Sequence, residues 1–273
     1  MEEDYIVINA STGEVAKGGL YITEEERERR RIAKENRLDK ELKKRTGERF
    51  LFVKADNSFN DLPPEQMTRL IYLSTYSNYD GQLMTTERRP MTRKELSNIM
   101  GLSDRATASF WACVKDKYIE SRDSGLYLLD AFNKGRLNKK NGVPYQQIWV
   151  EGVRELYKAT PVRQHKQLGY IYKMLPYINI EYNIMCWNPF QKDLNELEPM
   201  TIQDFIGIIG YFESNTKRLM NLYKKITFKV NGQEQLFCNF INDPNYIIVN
   251  PNILYKGSNF DKVEVLGVFC KKI

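Results

Sequence analysis

Four cysteines, one histidine and 17 tyrosines are the residues of this 273-residue chain with nucleophilic or metal-binding chemistry, and their spacing assembles none of it. Cys113, Cys186, Cys238 and Cys270 stand far apart with no Cys-x-x-Cys pair, so buried free thiols are expected, with neither a zinc site nor a disulfide framework. His165 is alone, on a charged helical stretch, which leaves histidine-pair metal chemistry and histidine-containing recombinase chemistry without their parts. No base stands beside a tyrosine to activate it, and no Gly-x-x-x-x-Gly-Lys-Ser/Thr loop is present to cradle phosphate. The expectation is a protein that is not an enzyme and takes no cofactor or metal.

What remains is the chemistry of recognition. After Ser103, Ala106, Phe110, Cys113 and Val114 fall on one face of a helix with Trp111 at its border, and Asp104, Arg105, Ala108, Ser109 and Ala112 fall on the other. Small polar side chains at the N-terminal end suit a helix that enters a DNA major groove about 12 Å wide, where Arg105 can donate a bidentate pair to guanine. The preceding elements are those that would position it. Pro63-Pro64 opens a helix carrying Met67, Leu70, Ile71, Leu73, Tyr76 and Tyr79, closed by Asp80-Gly81, and Gln82–Thr85 reads as a short strand. Thr92 and Glu95 form a capping box ahead of Leu96, Ile99 and Met100, and Gly101-Leu102 supplies a tight turn into the reading helix. Two β-forming runs then bracket Arg122-Asp123-Ser124-Gly125, a hairpin with the place of a wing.

The same unit occurs twice. Pro90-Met91-Thr92 returns as Pro199-Met200-Thr201, a shift of 109 residues that carries Gly101 onto Gly210, Phe110 onto Leu219 and Cys113 onto Leu222. Upstream, Leu83-Met84 resembles Ile184-Met185 at a shift of 101, which places eight extra residues within Cys186–Pro199, and a helix with Leu168, Ile171, Tyr172 and Leu175 follows Thr160-Pro161. The second exposed face carries Glu213, Ser214, Lys217, Arg218 and Asn221, followed by Lys224 and Lys225, and is more basic than the first. Its wing is longer: Phe228–Val230, an Asn231-Gly232 turn, Gln235–Phe240 and a returning strand at Tyr246–Val249. Ile148, Trp149, Val153, Leu156 and Tyr157 mark a linking helix between the copies, and Tyr170, Tyr172 and Tyr177 read as core and rim.

Residues 5–22 read as a short hairpin, and TEEEERERRRIAKENRLDKELKKRTGER as a helix over 24–46 with acids in its first turn and Lys43, Lys44 and Arg45 in its last. That helix offers little apolar surface, so it is solvated or partner-supported, or serves as a basic arm or dimerisation helix. The chain is 42% hydrophobic, enough for one large core or two modest ones, and its net charge of +6 permits nucleic-acid contact without demonstrating it. A start of MEEDYIVINAS lacks the regions of a signal peptide and no run is apolar enough to span a bilayer, so a soluble, cytoplasmic chain with no membrane partner is expected.

The run from Gly47-Glu48-Arg49-Phe50 and Phe52-Val53-Lys54 to LSNIMGLSDRATASFWACVKDKYIESRDSGLYLLDAFNKG resembles the RepL-type initiators of small Firmicute plasmids and related phage winged-helix proteins, over roughly residues 45–137. The resemblance implies DNA binding at an origin or operator, with Asp104, Arg105, Ala108 and Ser109 on the reading face. It stops near residue 140, and the second copy matches the first half of this chain better than it matches that family. Together these readings give an α+β, mostly helical fold of tandem winged helix-turn-helix domains: hairpin and charged helix over 1–49, first domain 50–140, linking helix 141–160, second domain 161–273. The expected function is a sequence-specific regulator of transcription or initiator of replication of a phage or plasmid-like element, binding double-stranded DNA as a homodimer or a two-headed monomer. The rival is an adaptor for host polymerase or replication proteins.

Overall fold

The computed structural model describes residues 7–8, 15–16, 28–29, 50–134, 144–230, 232–242, 245–256 and 266–271. The chain divides at Gly47 into two units. In the first, Val7–Ile8 (β1) pairs antiparallel with Val15–Ala16 (β2), with Val7 opposite Ala16, which is the hairpin expected within 5–22. Glu28 and Arg29 are helical, and the rest of the expected 24–46 helix lies outside the described residues.

In the second unit, Leu51 and Val53 are fully buried and alternate with half-exposed neighbours, the period of a strand with one face inward; Phe50–Lys54 is β3. Pro63 then sets up the helix Pro64–Ser74 (α1), whose first position tolerates proline because its missing N–H has no intrahelical partner. The helix stops at Ser74, short of the expected Asp80-Gly81, because Ser74 and Thr75 turn their hydroxyls back onto the carbonyls of Ile71 and Tyr72 at 2.7 Å, leaving Tyr79 exposed. A 3-10 turn at Arg93–Glu95 leads into Leu96–Met100 (α2), and Gly101 (φ +62) breaks direction before Asp104–Val114 (α3). Ile119–Arg122 (β4) and Gly125–Leu128 (β5) form the hairpin, in register from Ile119↔Leu128 to Arg122↔Gly125. Phe132–Asn133 (β6) returns to pair with β3.

The second copy starts with a strand that the sequence reading took as part of its linking helix: Tyr145–Trp149 (β7) pairs antiparallel with β3, and the helix Val150–Ala159 (α4) begins only after it. Gln146, Gln147, Ile148 and Trp149 are all buried, so this strand lacks the alternation that would mark it in sequence. His165–Lys173 (α5), Ile202–Ile209 (α6) and Thr216–Tyr223 (α7) follow, then Thr227–Val230 (β8) with Gln233–Leu236 (β9), and Cys238–Asn242 (β10) with Asn245–Val249 (β11). The architecture is α+β, with helices joined by small antiparallel sheets, and helix accounts for less than half of it, so "mostly helical" overstates the helix content. The hairpins, the paired strands on either side of α1 and the extended second wing consume the difference.

Matched hydrogen bonds establish the duplication residue by residue. Leu102 N donates to Ser97 O at 2.9 Å and Tyr211 N to Ile206 O at 3.0 Å, both 109 apart, around Gly101 and Gly210, which share a left-handed conformation. Thr92 with Glu95 and Thr201 with Asp204 form equivalent capping boxes. At the end of the first helix of each copy, Tyr76 N to Leu73 O and Tyr177 N to Met174 O confirm the shift of 101. The short strand is one residue further out of step than the sequence alignment had it: Leu83 bridges Ser77 and bonds Met91, whereas it is Met185, not Ile184, that bridges Ile178 and bonds Met200. One residue is therefore inserted in the preceding turn, where Asn183 (φ +54) takes the left-handed position of Gly81 (φ +77), and the insertion before Pro199 is a residue shorter.

The copies do not keep separate cores. Residues 48–273 form one unit, and one buried apolar cluster runs from Leu51 and Leu70 through Phe110, Leu156 and Ile171 to Phe205, Tyr223 and Leu254. Its centre is α1 packed along α5: Thr68 Oγ1 donates to His165 O at 2.7 Å, and Gly169 lies so close that a Cβ there would stand 1.7 Å from Pro64 O. Tyr72 stacks on Tyr157 with ring centroids 3.8 Å apart, and Arg154 donates to Thr75 Oγ1 at 2.9 Å, so α4 also packs against α1.

Gly169→Ala should lower stability by about 2 kcal/mol, because the backbone of a facing helix cannot yield as a side chain can and the overpacking outweighs the gain in helix propensity. Gly207→Ala, where an added Cβ meets nothing within 4 Å, should raise stability by about 0.5–1 kcal/mol. Urea denaturation of both variants checks the pair; equal midpoints would mean that the α1–α5 approach is looser than described.

Candidate nucleic-acid interface

The exposed face of α3 is set by what lies beneath it. Phe110 and Val114 are fully buried and Trp111 nearly so, which fixes the helix rotation and leaves Asp104, Arg105, Ala108, Ser109 and Ala112 exposed. Ser103 caps the helix, its Oγ accepting from Ala106 N at 3.4 Å, so the N-terminal turn that would meet base edges is ordered by its own cap. Ser109 is partly committed, since Gln66 Nε2 on α1 donates to its Oγ at 3.5 Å. Its hydroxyl proton stays free to donate outward.

The hairpin beside this helix is held by a close approach. Gly125 adopts φ +125, and a Cβ there would lie 3.1 Å from Met91 O, while Gln82 Nε2 donates to Ser124 O at 2.8 Å. A cleft of about 350 Å³ opens between hairpin and helix pair, flanked by Thr92, Arg93, Ser121, Arg122 and Ser124. Arg122 is on the hairpin as expected but is not a free cation: Glu120 holds it at 2.6 Å and its guanidinium lies over the Tyr127 ring at 4.3 Å. Arg93, over the Trp111 ring at 5.6 Å, joins it at the cleft and is not among the residues singled out in the sequence, where nothing local shows that it faces the hairpin.

In the second copy, Lys217, Arg218 and Asn221 are exposed on α7, over a face sealed by Leu219 and Tyr223, and Lys224 and Lys225 are exposed just past its end. Among the described residues Arg105, Lys217, Arg218, Lys224 and Lys225 have no ion-pair partner. Ser214 is exposed but sits in a 3-10 turn, Glu213–Asn215, rather than in the helix. The reason is visible at the preceding position: the shift of 109 carries Ser103 onto Phe212, which has no side-chain oxygen to cap a helix and is 78% exposed. The two faces therefore differ in geometry as well as in charge.

His165 and three of the four cysteines are buried, while Cys113 is half-buried. His165, expected on a charged helical stretch, is 1% exposed beneath Tyr157, because the N-terminus of α5 is the part that packs against α1. Burial, with the Arg69 charge nearby, pushes its pKa from the ordinary 6.5 to about 4, and its Nε2 faces Thr160 O at 3.2 Å. Cys186, Cys238 and Cys270 are buried, and burial raises their thiols, to about 11 for Cys186 and about 12 for Cys270. Among the described residues no group of three or more His, Cys, Asp and Glu is placed to hold a metal, and no helix is long and apolar enough to cross a membrane.

Because the fold keeps His165 neutral, the unfolded chain takes up a proton below pH 6.5 that the folded chain refuses until about pH 4. Stability should therefore be insensitive to this group above pH 6.5 and fall across that window, by on the order of 3 kcal/mol, relative to a His165→Gln variant. Parallel stability curves for the two proteins from pH 7 to 4 would show that the imidazole is solvated. No family model matches the chain, and neither does any curated protein or solved structure.

Proposed function

We propose that this chain binds double-stranded DNA through two winged helix-turn-helix modules, with α3 and α7 as the reading helices. The observation that carries this reading is the pair of exposed polar faces at equivalent positions of an internal repeat, each backed by a sealed apolar face and each following a left-handed glycine turn. The order of helix, short strand, helix pair and hairpin is that of a winged module, and the unpaired cations at both faces suit phosphate and base acceptors. Arg105 on the first face is the base-reading residue. Lys217, Arg218, Lys224 and Lys225 on the second are suited to hold phosphate, with Ser214 and Asn221 beside them. The role that fits is a regulator or initiator acting at a defined site.

A second reading has its own support. Phe212 at the second helix-pair turn, and Trp187, Phe190 and Leu194 in the insertion before α6, are exposed apolar side chains of the second copy. They suit a protein partner, such as a host polymerase or replication protein, docked on that copy.

Binding of the full chain to duplexes selected from a random library, measured by fluorescence anisotropy across salt concentration, separates the two. The DNA reading expects affinity to fall steeply with salt, Arg105→Ala to cost about 1–3 kcal/mol and relax one base position, and Lys217→Ala to weaken all sequences alike while reducing the salt slope by about 1. Affinity indifferent to salt and to Arg105→Ala would leave the adaptor reading.

A further inference from the structure

Contacts between the two copies are reciprocal. The shift of 101 makes Thr68 equivalent to Gly169 and Pro64 equivalent to His165. Thr68 of the first copy touches the His165 carbonyl, and Gly169 of the second touches the Pro64 carbonyl. When residue i meets j of the other copy and j meets i, the operation relating the copies is a two-fold rotation, the isologous contact of a symmetric dimer. Two copies stacked head to tail would show one of these contacts without its converse.

The sheet repeats the argument independently. β3 and β7 lie side by side and antiparallel, with Phe52 opposite Gln147 at their centre. β6, which follows the hairpin of the first copy, flanks β3 through Phe52↔Asn133. The segment 253–255, which follows the hairpins of the second copy, flanks β7 through Trp149 N to Ile253 O and Tyr255 N to Gln147 O, both within 3.0 Å. The order 6, 3, 7, terminal segment reads the same from either end, with the axis passing between β3 and β7.

We propose that a single chain is already the two-fold unit that recognises DNA: one molecule occupies one duplex, with α3 and α7 addressing two half-sites in opposite orientation. This rests on the DNA-binding reading above. A two-fold axis sets symmetry-related elements at equal height along itself, so a duplex that crosses the axis in contact with both reading helices meets them with its strands exchanged. The half-sites are unlike, because Ala108 and Ser109 of one face stand where Lys217 and Arg218 stand on the other. Sequence discrimination is concentrated in the half facing α3, and the half facing α7 is read more through its backbone.

The test is selection of bound duplexes from a random library by the full chain, with the mass of each selected complex measured by native mass spectrometry. The expected result is two unlike half-sites in inverted orientation at fixed spacing, one chain per duplex, with Arg105→Ala relaxing one half only. Reversing one half-site within a selected duplex should cost at least about tenfold in affinity. Half-sites in direct orientation, a single half-site, or two chains per duplex would overturn the proposal while leaving DNA binding intact. No duplex binding under any salt condition would overturn the DNA reading, and this proposal with it.

Discussion

The approach of α1 to α5 is the contact on which the rest of the structure is built. Gly169 has no side chain, and that absence lets the Pro64 carbonyl come within what would be Cβ distance of it. Once the helices touch there, Thr68 reaches the His165 carbonyl, His165 is enclosed, and β3 and β7 come to lie side by side. Each copy on its own presents one apolar face of its first helix and one unpaired strand edge. Pairing the copies buries both together, which is why their cores merge into one cluster.

Within the helix pairs, the copies keep the character of what faces the core and differ in what faces outward. The buried positions stay apolar through the repeat, with Met91 and Met200, Phe110 and Leu219, all fully buried. The outward positions have moved apart: Ser103 against Phe212, Ala108 against Lys217, Ser109 against Arg218. Where the first copy has the Ser103 cap the second has Phe212, which cannot cap, and there the helix start is a 3-10 turn with an exposed apolar side chain beside it. The second copy also carries α4, the insertion with Trp187 and Phe190, and a second hairpin, placed between and after elements that the two copies share.

How much was legible beforehand depended on whether the signal was local. Caps, left-handed glycines and alternating or helical burial are written in adjacent residues, so both helix pairs, the first hairpin and the turn of the second lie where the sequence places them, whereas Glu213 and Ser214 stand in a 3-10 turn ahead of the helix and the second return strand is Gln233–Leu236. The register of the short second strand was missed by one residue because Asn183 performs the left-handed turn of Gly81, and asparagine does not announce that conformation as glycine does. β7 was missed because a strand buried on both faces has no alternation to detect.

The sequence by itself determined the repeat and its apolar and polar faces, since each is a matter of which residues recur at which spacing. Only the tertiary structure decided that the copies share one core, that His165 is interior, that Arg122 is neutralised by Glu120 while Arg105 is not, and that the relation between copies is a rotation. The burial of His165 against α1 and the rotation depend on contacts between residues roughly a hundred positions apart. Spacing along the chain can show that two segments are alike; it carries no information about the direction in which they meet.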